Sequence, residues 1–184
     1  MTPAVPSLPR EIAHALGKGE TALFTVFAKR ITAHLGESLI TVLAPDRRRG
    51  CLVRIYSNDT AQYPLGDADT IESNRWFRRL FAERMPVVAN NESEIARWLP
   101  DFVAFKGAGL SSLANIPVVV AGQVIGIANL MSGPEVFTQE RIGLLEGETP
   151  TAALGIMLSQ VKVDPFAVSP AVLQTFLDPG RQVD

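Results

Sequence analysis

The sequence predicts an α+β domain built on a central antiparallel sheet, and two observations lead to this class. Two pairs of β-rich segments are each joined by a short turn: residues 39–44 with 51–56, and residues 109–120 with 124–131. Short turns between such segments indicate β-hairpins, whose strands pair antiparallel. The long helical patterns lie before the first hairpin and after the last one, which favours a sheet covered by helices over a doubly wound fold.

Composition and charge fit one globular domain. The 184 residues are 47% hydrophobic and 20% charged, enough for a sizeable core. The net charge of −2 argues against nucleic acid or an anionic membrane as a partner. The longest apolar run is too short to span a bilayer, and the N-terminus lacks the apolar core of a signal peptide. We therefore expect a cytoplasmic protein.

The N-terminal part is predicted to be helical. Residues 1–19 form a proline-containing lead-in with a short helix from about residue 11 to residue 16. A longer helix is predicted over residues 20–35, because apolar residues recur there at helical spacing. Gly36 suits its C-terminal end.

The first hairpin carries the only cysteine and a run of arginines. Cys51 lies in an apolar strand pattern, so we expect it to be buried and inert. Arg47–Arg49 occupy the turn, and such a run is more often a solvated turn than a phosphate site. Arg54 and Tyr56 are two residues apart in a predicted strand, so they should share one face of the sheet.

The middle of the chain alternates short helices with a short strand. Ser73 or Asn74 can cap a helix that runs to about residue 84, and residues 85–89 are predicted to form a strand. A further short helix follows over residues 91–98. Trp76 is expected in the core, because aromatic residues at helical spacing usually pack inside.

The main hairpin contains two asparagines among aliphatic residues. Asn115 and Asn129 lie at equal distance on either side of Gly122, so a three-residue loop centred on this glycine would make them direct cross-strand neighbours. Their amides could contact a ligand, or they could hold a neighbouring loop. The structural role is favoured.

The C-terminal part is predicted to be a long helix followed by a tail. Thr138 is expected to cap the helix, which reaches about residue 161. Pro150 lies inside and should kink the helix or divide it, with Thr149 as the new cap. Residues 163–184 form the tail, with one further short helix.

These features resemble those of GAF domains over roughly residues 20–162. The resemblance is carried by Gly109…Ser112…Asn115-Ile116-Pro117-Val118, followed by Gly122, Gly126 and Asn129-Leu130. Residues 53–58 and 63–66 are similar to a bacterial subgroup of stand-alone GAF proteins without assigned activity. The resemblance implies a central antiparallel sheet with the long terminal helices on one face. The short helices and loops, residues 101–109 among them, would roof the other face and enclose a small-molecule pocket.

The resemblance also suggests which residues line that pocket. Trp98 and Phe102 are the better candidates for its wall. Arg54 could bind a carboxylate or phosphate if its face of the strand points to the pocket. If the strand lies at the sheet edge, Arg54 is simply solvated. The full set of candidate ligand-binding residues is Arg54, Tyr56, Tyr63, Trp98, Phe102, Ser112, Asn115 and Asn129. His14 and His34 lack metal-ligand spacing, and neither a cofactor nor a specific ligand can be named.

Three functions are compatible with the sequence. The leading one is a non-catalytic module that senses an unidentified metabolite and acts on a separate output protein. The second is an assembly module, because Leu23, Phe27 and Ile31 together with the last helix could exceed what one sheet face covers and could meet in a homodimer. The third, a GAF-type reductase of free methionine sulfoxide, is disfavoured because such enzymes use several thiols and this chain has one.

Overall fold

The computed structural model describes residues 8–46, 48–70, 74–99 and 110–160. Within them, six strands form one antiparallel sheet in the order β3-β2-β1-β6-β5-β4, which confirms the predicted α+β class. The strands are β1 (Leu39–Asp46), β2 (Cys51–Ser57), β3 (Ala68–Thr70), β4 (Val87–Ala89), β5 (Ser112–Val120) and β6 (Gln123–Ser132). The helices are α1 (Leu8–Leu16), α2 (Glu20–Leu35), α3 (Arg75–Phe77, continued by a π-helical turn over Arg78–Ala82), α4 (Glu92–Trp98) and α5 (Gln139–Gln160).

Several predicted segments lie outside the described residues. They are the start of the lead-in, the cap candidate Ser73, the loop over residues 101–109 with Phe102, and the tail over residues 163–184. The alternative cap, Asn74, does begin α3: its Oδ1 accepts a hydrogen bond from the backbone N–H of Phe77 at 2.9 Å. None of the helices that the structure describes is both long and apolar enough to cross a bilayer.

The helices α2 and α5 cover one face of the sheet. The α2 residues predicted from helical spacing are buried there, among them Phe24, Phe27 and Ile31. They pack with inward-facing side chains of β1, β5 and β6 in the largest apolar cluster. Leu23, Phe27 and Ile31 are all fully buried within the single chain, so the surplus apolar surface that motivated the homodimer prediction is absent from α2.

Glycine lets α5 approach both the sheet and α2. A Cβ at Gly155 would lie 2.7 Å from the Phe24 ring, and a Cβ at Gly126 would lie 2.5 Å from the Ile156 side chain. Both distances are too short for real atoms. The close contact between the layers therefore depends on a missing side chain at each of these two positions.

The helix α5 is not divided at Pro150. It is one helix from Gln139 to Gln160, so the predicted new cap at Thr149 does not occur. Proline removes the backbone N–H that would have bonded the carbonyl of Glu146. The Thr149 hydroxyl donates to that carbonyl instead, at 2.8 Å, and so replaces the lost donor.

A buried charge cluster joins α2 to α5. Glu148 of α5 accepts hydrogen bonds from the guanidinium Nε and Nη2 of Arg30, and its Oε1 lies 3.0 Å from His34 Nε2. Burial alone would raise the pKa of Glu148, but the hydrogen bonds and charges of Arg30 and His34 outweigh it and hold the pKa below its ordinary value. The ionised carboxylate therefore stabilises the contact between the two helices.

A β-bulge in β2 changes which residues share a face. Val42 of β1 pairs with Tyr56, but the next β1 residue, Leu43, pairs with Arg54, so Ile55 is an extra residue in β2. Tyr56 stacks on Phe24 of α2, with ring centroids 5.3 Å apart, whereas Arg54 lies on the opposite face. The prediction that Arg54 and Tyr56 share a face is wrong, because period-2 alternation cannot anticipate an inserted residue.

A second bulge places the two asparagines opposite each other. The turn between β5 and β6 has two residues, Ala121 and Gly122, both at positive φ (48° and 74°), as hairpin turns of type I′ require. The pairing then shifts between Val118 and Val119, and this shift restores the register. Asn115 pairs with Asn129 as predicted, through a two-residue turn and a bulge rather than a three-residue loop.

Candidate ligand-binding cavity

A cavity of about 680 Å³ lies against the sheet face that α2 and α5 leave uncovered. Its floor is formed by side chains of the central strands: Leu39, Thr41, Leu43, Leu113, Asn115, Asn129 and Met131. One wall comes from β2, β3 and the segment between them, and the other from the start of α3 and the end of α4. The sheet thus provides a largely apolar floor, and polar side chains are confined to a few positions.

A chain of hydrogen bonds crosses the floor. The indole Nε1 of Trp76 donates to Asn115 Oδ1 at 2.8 Å, and Asn115 Nδ2 donates to Asn129 Oδ1 at 2.7 Å. An indole N–H can only donate, so it fixes the orientation of Asn115, which in turn fixes that of Asn129. The chain of hydrogen bonds therefore ends at Asn129, which lines the cavity.

Arg54 forms the charged part of the wall. Its Nη1 donates to the carbonyl of Pro64 at 3.2 Å and to Asp67 Oδ2 at 3.0 Å, and its Cζ lies 5.6 Å from the centroid of the Tyr63 ring. The side chain is only 12% exposed. Its Nε is buried and has no hydrogen-bond acceptor among the described residues. A buried guanidinium N–H without an acceptor lowers the stability of the protein. An acceptor that bound to this atom would remove that cost.

Two aromatic side chains complete the walls. Trp98 lies under the guanidinium of Arg75, whose Cζ is 4.1 Å from the centroid of the indole. Burial, together with the charge of Asp59, raises the pKa of Tyr63 despite the opposing charge of Arg54. The Tyr63 phenol therefore stays protonated near neutral pH and can act as a hydrogen-bond donor.

The structure brings most of the predicted site residues to this cavity. Five of the candidates line it: Arg54, Tyr63, Trp98, Asn115 and Asn129. Tyr56 is turned to the helix side by the bulge, where burial raises its pKa. Ser112 is fully buried, and its hydroxyl donates to the Gly133 carbonyl, so it holds the end of the hairpin. Phe102 lies outside the described residues.

The sequence interpretation missed many of the cavity residues, among them Trp76, Asp67 and Asp69. Trp76, expected in the core, packs against apolar neighbours but also lines the cavity. An indole N–H needs an acceptor when buried, and this requirement could have linked it to an asparagine. Asp67 and Asp69 line the wall beside Arg54 but carried no pattern in the sequence.

The chemical groups that line the cavity are few in kind. Within the described residues, no three histidine, cysteine, aspartate or glutamate side chains are grouped to hold a metal. Cys51, the only cysteine of the sequence, is buried as predicted and does not line the cavity. What the cavity presents is hydrogen-bond donors, one guanidinium and an apolar floor.

Comparison with known proteins gives one family. The family model described as GAF domain matches residues 19–157. The GAF domain from an Acinetobacter phosphoenolpyruvate-protein phosphotransferase is 12% identical with a TM-score of 0.62, and the alignment covers 87% of this chain and 99% of that domain. The second GAF domain of DevS from Mycobacterium smegmatis is 19% identical with a TM-score of 0.53, covering 76% of this chain and 94% of that domain.

A third solved structure comes from residues 122 to 287 of a methyl-accepting chemotaxis protein. It is 17% identical with a TM-score of 0.59, and the alignment covers 80% of this chain and 94% of that one. At these identities the likeness shows the fold alone. No match was found among curated proteins.

Proposed function

Because the chain belongs to the GAF domain family, we propose that it is a non-catalytic regulatory module that binds a small molecule in the cavity on the free face of its sheet. The observation that carries the proposal is the buried Nε of Arg54, which has no acceptor within the described residues and belongs to a side chain lining this cavity. GAF domains generally serve in sensing and regulation within signalling proteins. A chemotaxis protein and a two-component sensor histidine kinase are among the structures similar to this chain.

The form of the cavity supports the proposal. Its volume of about 680 Å³ lies in the range typical of small-molecule sites, which are mostly apolar with a few placed polar groups. Cys51 does not line it, so a thiol-based reduction of methionine sulfoxide has no nucleophile there. Binding would shift the population of pre-existing conformations rather than drive chemistry.

The test is a thermal-shift screen of a metabolite library, followed by calorimetry. A ligand at a hundred times its Kd stabilises the folded state by about 2.7 kcal/mol, which corresponds to several degrees in Tm. Trp98→Ala should abolish the shift, because it removes part of the cavity wall. Arg49→Ala, which changes an exposed arginine of the turn after β1, should leave it intact.

A library that shifts neither the wild type nor Arg49→Ala would refute the proposal, and so would a ligand whose effect survives Trp98→Ala unchanged. In the same proposal, the signal passes to a separate output protein. The homodimer remains a prediction, for which light scattering at micromolar concentration is the measurement. A monomer under those conditions would contradict it.

A further inference from the structure

We propose that the ligand of this cavity carries a carboxylate attached to an apolar or aromatic body, with the carboxylate bound by the Nε edge of Arg54. This inference rests on the proposed function and names its ligand class. Three features carry it: the state of the Arg54 guanidinium, the charges beside it, and the composition of the floor.

The guanidinium of Arg54 is held with its Nε edge unpaired. Its Nη1 is occupied by Pro64 and Asp67, which fix the plane of the group. Its Nε is buried and lacks an acceptor among the residues that the structure describes. Arg30 shows how the same edge is used elsewhere in this protein, since its Nε and Nη2 bind the two carboxylate oxygens of Glu148. A ligand carboxylate at Arg54 would reproduce that bidentate pair.

The neighbouring charges favour a single negative charge over a phosphate. Arg54 is the one basic side chain among the described lining residues, and Asp67 and Asp69 line the wall beside it. A phosphate dianion would meet one cation and two carboxylates, and like charges nearby disfavour a second negative charge. A carboxylate brings one charge and two coplanar oxygens, which match the two donors of the unpaired edge.

The apolar side chains in the rest of the cavity favour a ligand with an apolar body. Leu39, Leu113 and Met131 lie on the floor and Trp98 in the wall. Burying a hydrocarbon or aromatic group against them gains about 25 cal/mol for each Å² of apolar surface removed from water. A small acid without such a body would leave this surface in water and would bind weakly.

The experiment compares probes that share one body and differ in the group at its end. The series is 3-phenylpropanoate, phenylalanine, 3-phenylpropanol, 3-phenylpropylamine and 3-phenylpropyl phosphate, titrated into the wild-type protein by calorimetry or NMR. We expect the two carboxylates to bind at least tenfold more tightly than the alcohol, the amine and the phosphate. Phenylalanine against 3-phenylpropanoate then decides whether an α-amino acid or a simple carboxylic acid is preferred, and either result fits the proposal.

Two variants assign the preference to Arg54. Arg54→Lys keeps the positive charge but loses the paired N–H donors of the planar guanidinium. The ratio of carboxylate affinity to alcohol affinity should therefore fall about tenfold. Asp67→Asn removes a like charge next to the ligand and should raise carboxylate affinity a few-fold. The wild-type probe series stands even if Arg54→Lys is unstable, so the proposal does not depend on that variant.

The alcohol or the phosphate binding as tightly as the carboxylates would overturn the inference, and so would a carboxylate preference that is unchanged in Arg54→Lys. These outcomes are distinct from failure of the proposed function. If another class of metabolite binds in a manner sensitive to Trp98→Ala, the cavity is still a ligand site and only the carboxylate assignment fails.

Discussion

Gly155 is the position where a single methyl group should most directly test the packing of α2 on α5. A Cβ added there would lie 2.7, 2.9 and 3.0 Å from three atoms of the Phe24 ring. That ring is 1% exposed and stacks on Tyr56, so it is confined on two sides. Gly155→Ala must therefore displace the ring, the helix or both.

The expected magnitude follows from two opposing contributions. Alanine is favoured over glycine inside a helix by about 0.5–1 kcal/mol. Overpacking a close-packed core costs about 1–3 kcal/mol. Gly147→Ala is the matched control, because it lies in the same helix and a Cβ there meets no described heavy atom within 4 Å. The helix contribution is common to both variants, so the control should be about 1–3 kcal/mol more stable than Gly155→Ala.

The assay is urea unfolding monitored by circular dichroism, with the wild type and both variants at one protein concentration. Gly147→Ala should be slightly more stable than the wild type and Gly155→Ala less stable. Phe24→Leu in the Gly155→Ala background should recover part of the loss, giving a favourable interaction energy in the double-mutant cycle. Equal stability of the two alanine variants would refute the steric reasoning.

Three further substitutions test other parts of the fold. Gly126→Ala should destabilise the protein by about 1–3 kcal/mol, because the added Cβ would also lie 2.7 Å from a backbone oxygen of β1; denaturant unfolding that shows no loss would contradict this. Glu148→Gln should make the free energy of unfolding depend less on pH under acidic conditions. The pKa of Glu148 is lowered in the folded state, so its contribution to stability is present above the ordinary pKa of 4.5 and is lost as pH falls through the lower folded value. Urea unfolding at several acidic pH values measures this, and a variant that loses stability with falling pH as steeply as the wild type would contradict the prediction. Trp76→Phe should cost about 1–3 kcal/mol, because it leaves the buried Asn115 Oδ1 without its indole donor; unchanged stability would mean that another donor takes its place.

Much of the fold could be predicted from local pattern. The helix α2 and both long hairpins follow from spacing and turn chemistry, because each is specified by residues close in sequence. The facing of Asn115 and Asn129 was predicted from their symmetry about Gly122 and is confirmed. The hairpin is closed by a two-residue turn and a bulge instead of the expected three-residue loop. Both ways of closing it pair Asn115 with Asn129, so the prediction held although the turn differs.

The sequence could not predict features that depend on inserted residues or distant partners. The bulge at Ile55 reverses the alternation of β2, and no residue in that strand marks it. The contact of Arg30 with Glu148 spans 118 positions, so neither residue indicates the other locally. Five predicted site residues do line the cavity, namely Arg54, Tyr63, Trp98, Asn115 and Asn129; that they bind a ligand stays a prediction.

The bulge at Ile55 also lets neighbouring residues of β2 contact both faces of the sheet. On one side of it, Arg54 is anchored to the cavity wall through Asp67; on the other, Tyr56 lies against Phe24, whose ring fills the space above Gly155. Bulges bend a strand and increase its local twist. A short piece of main chain thus joins the wall of the cavity, on one side of the sheet, to the packing of α2 and α5 on the other.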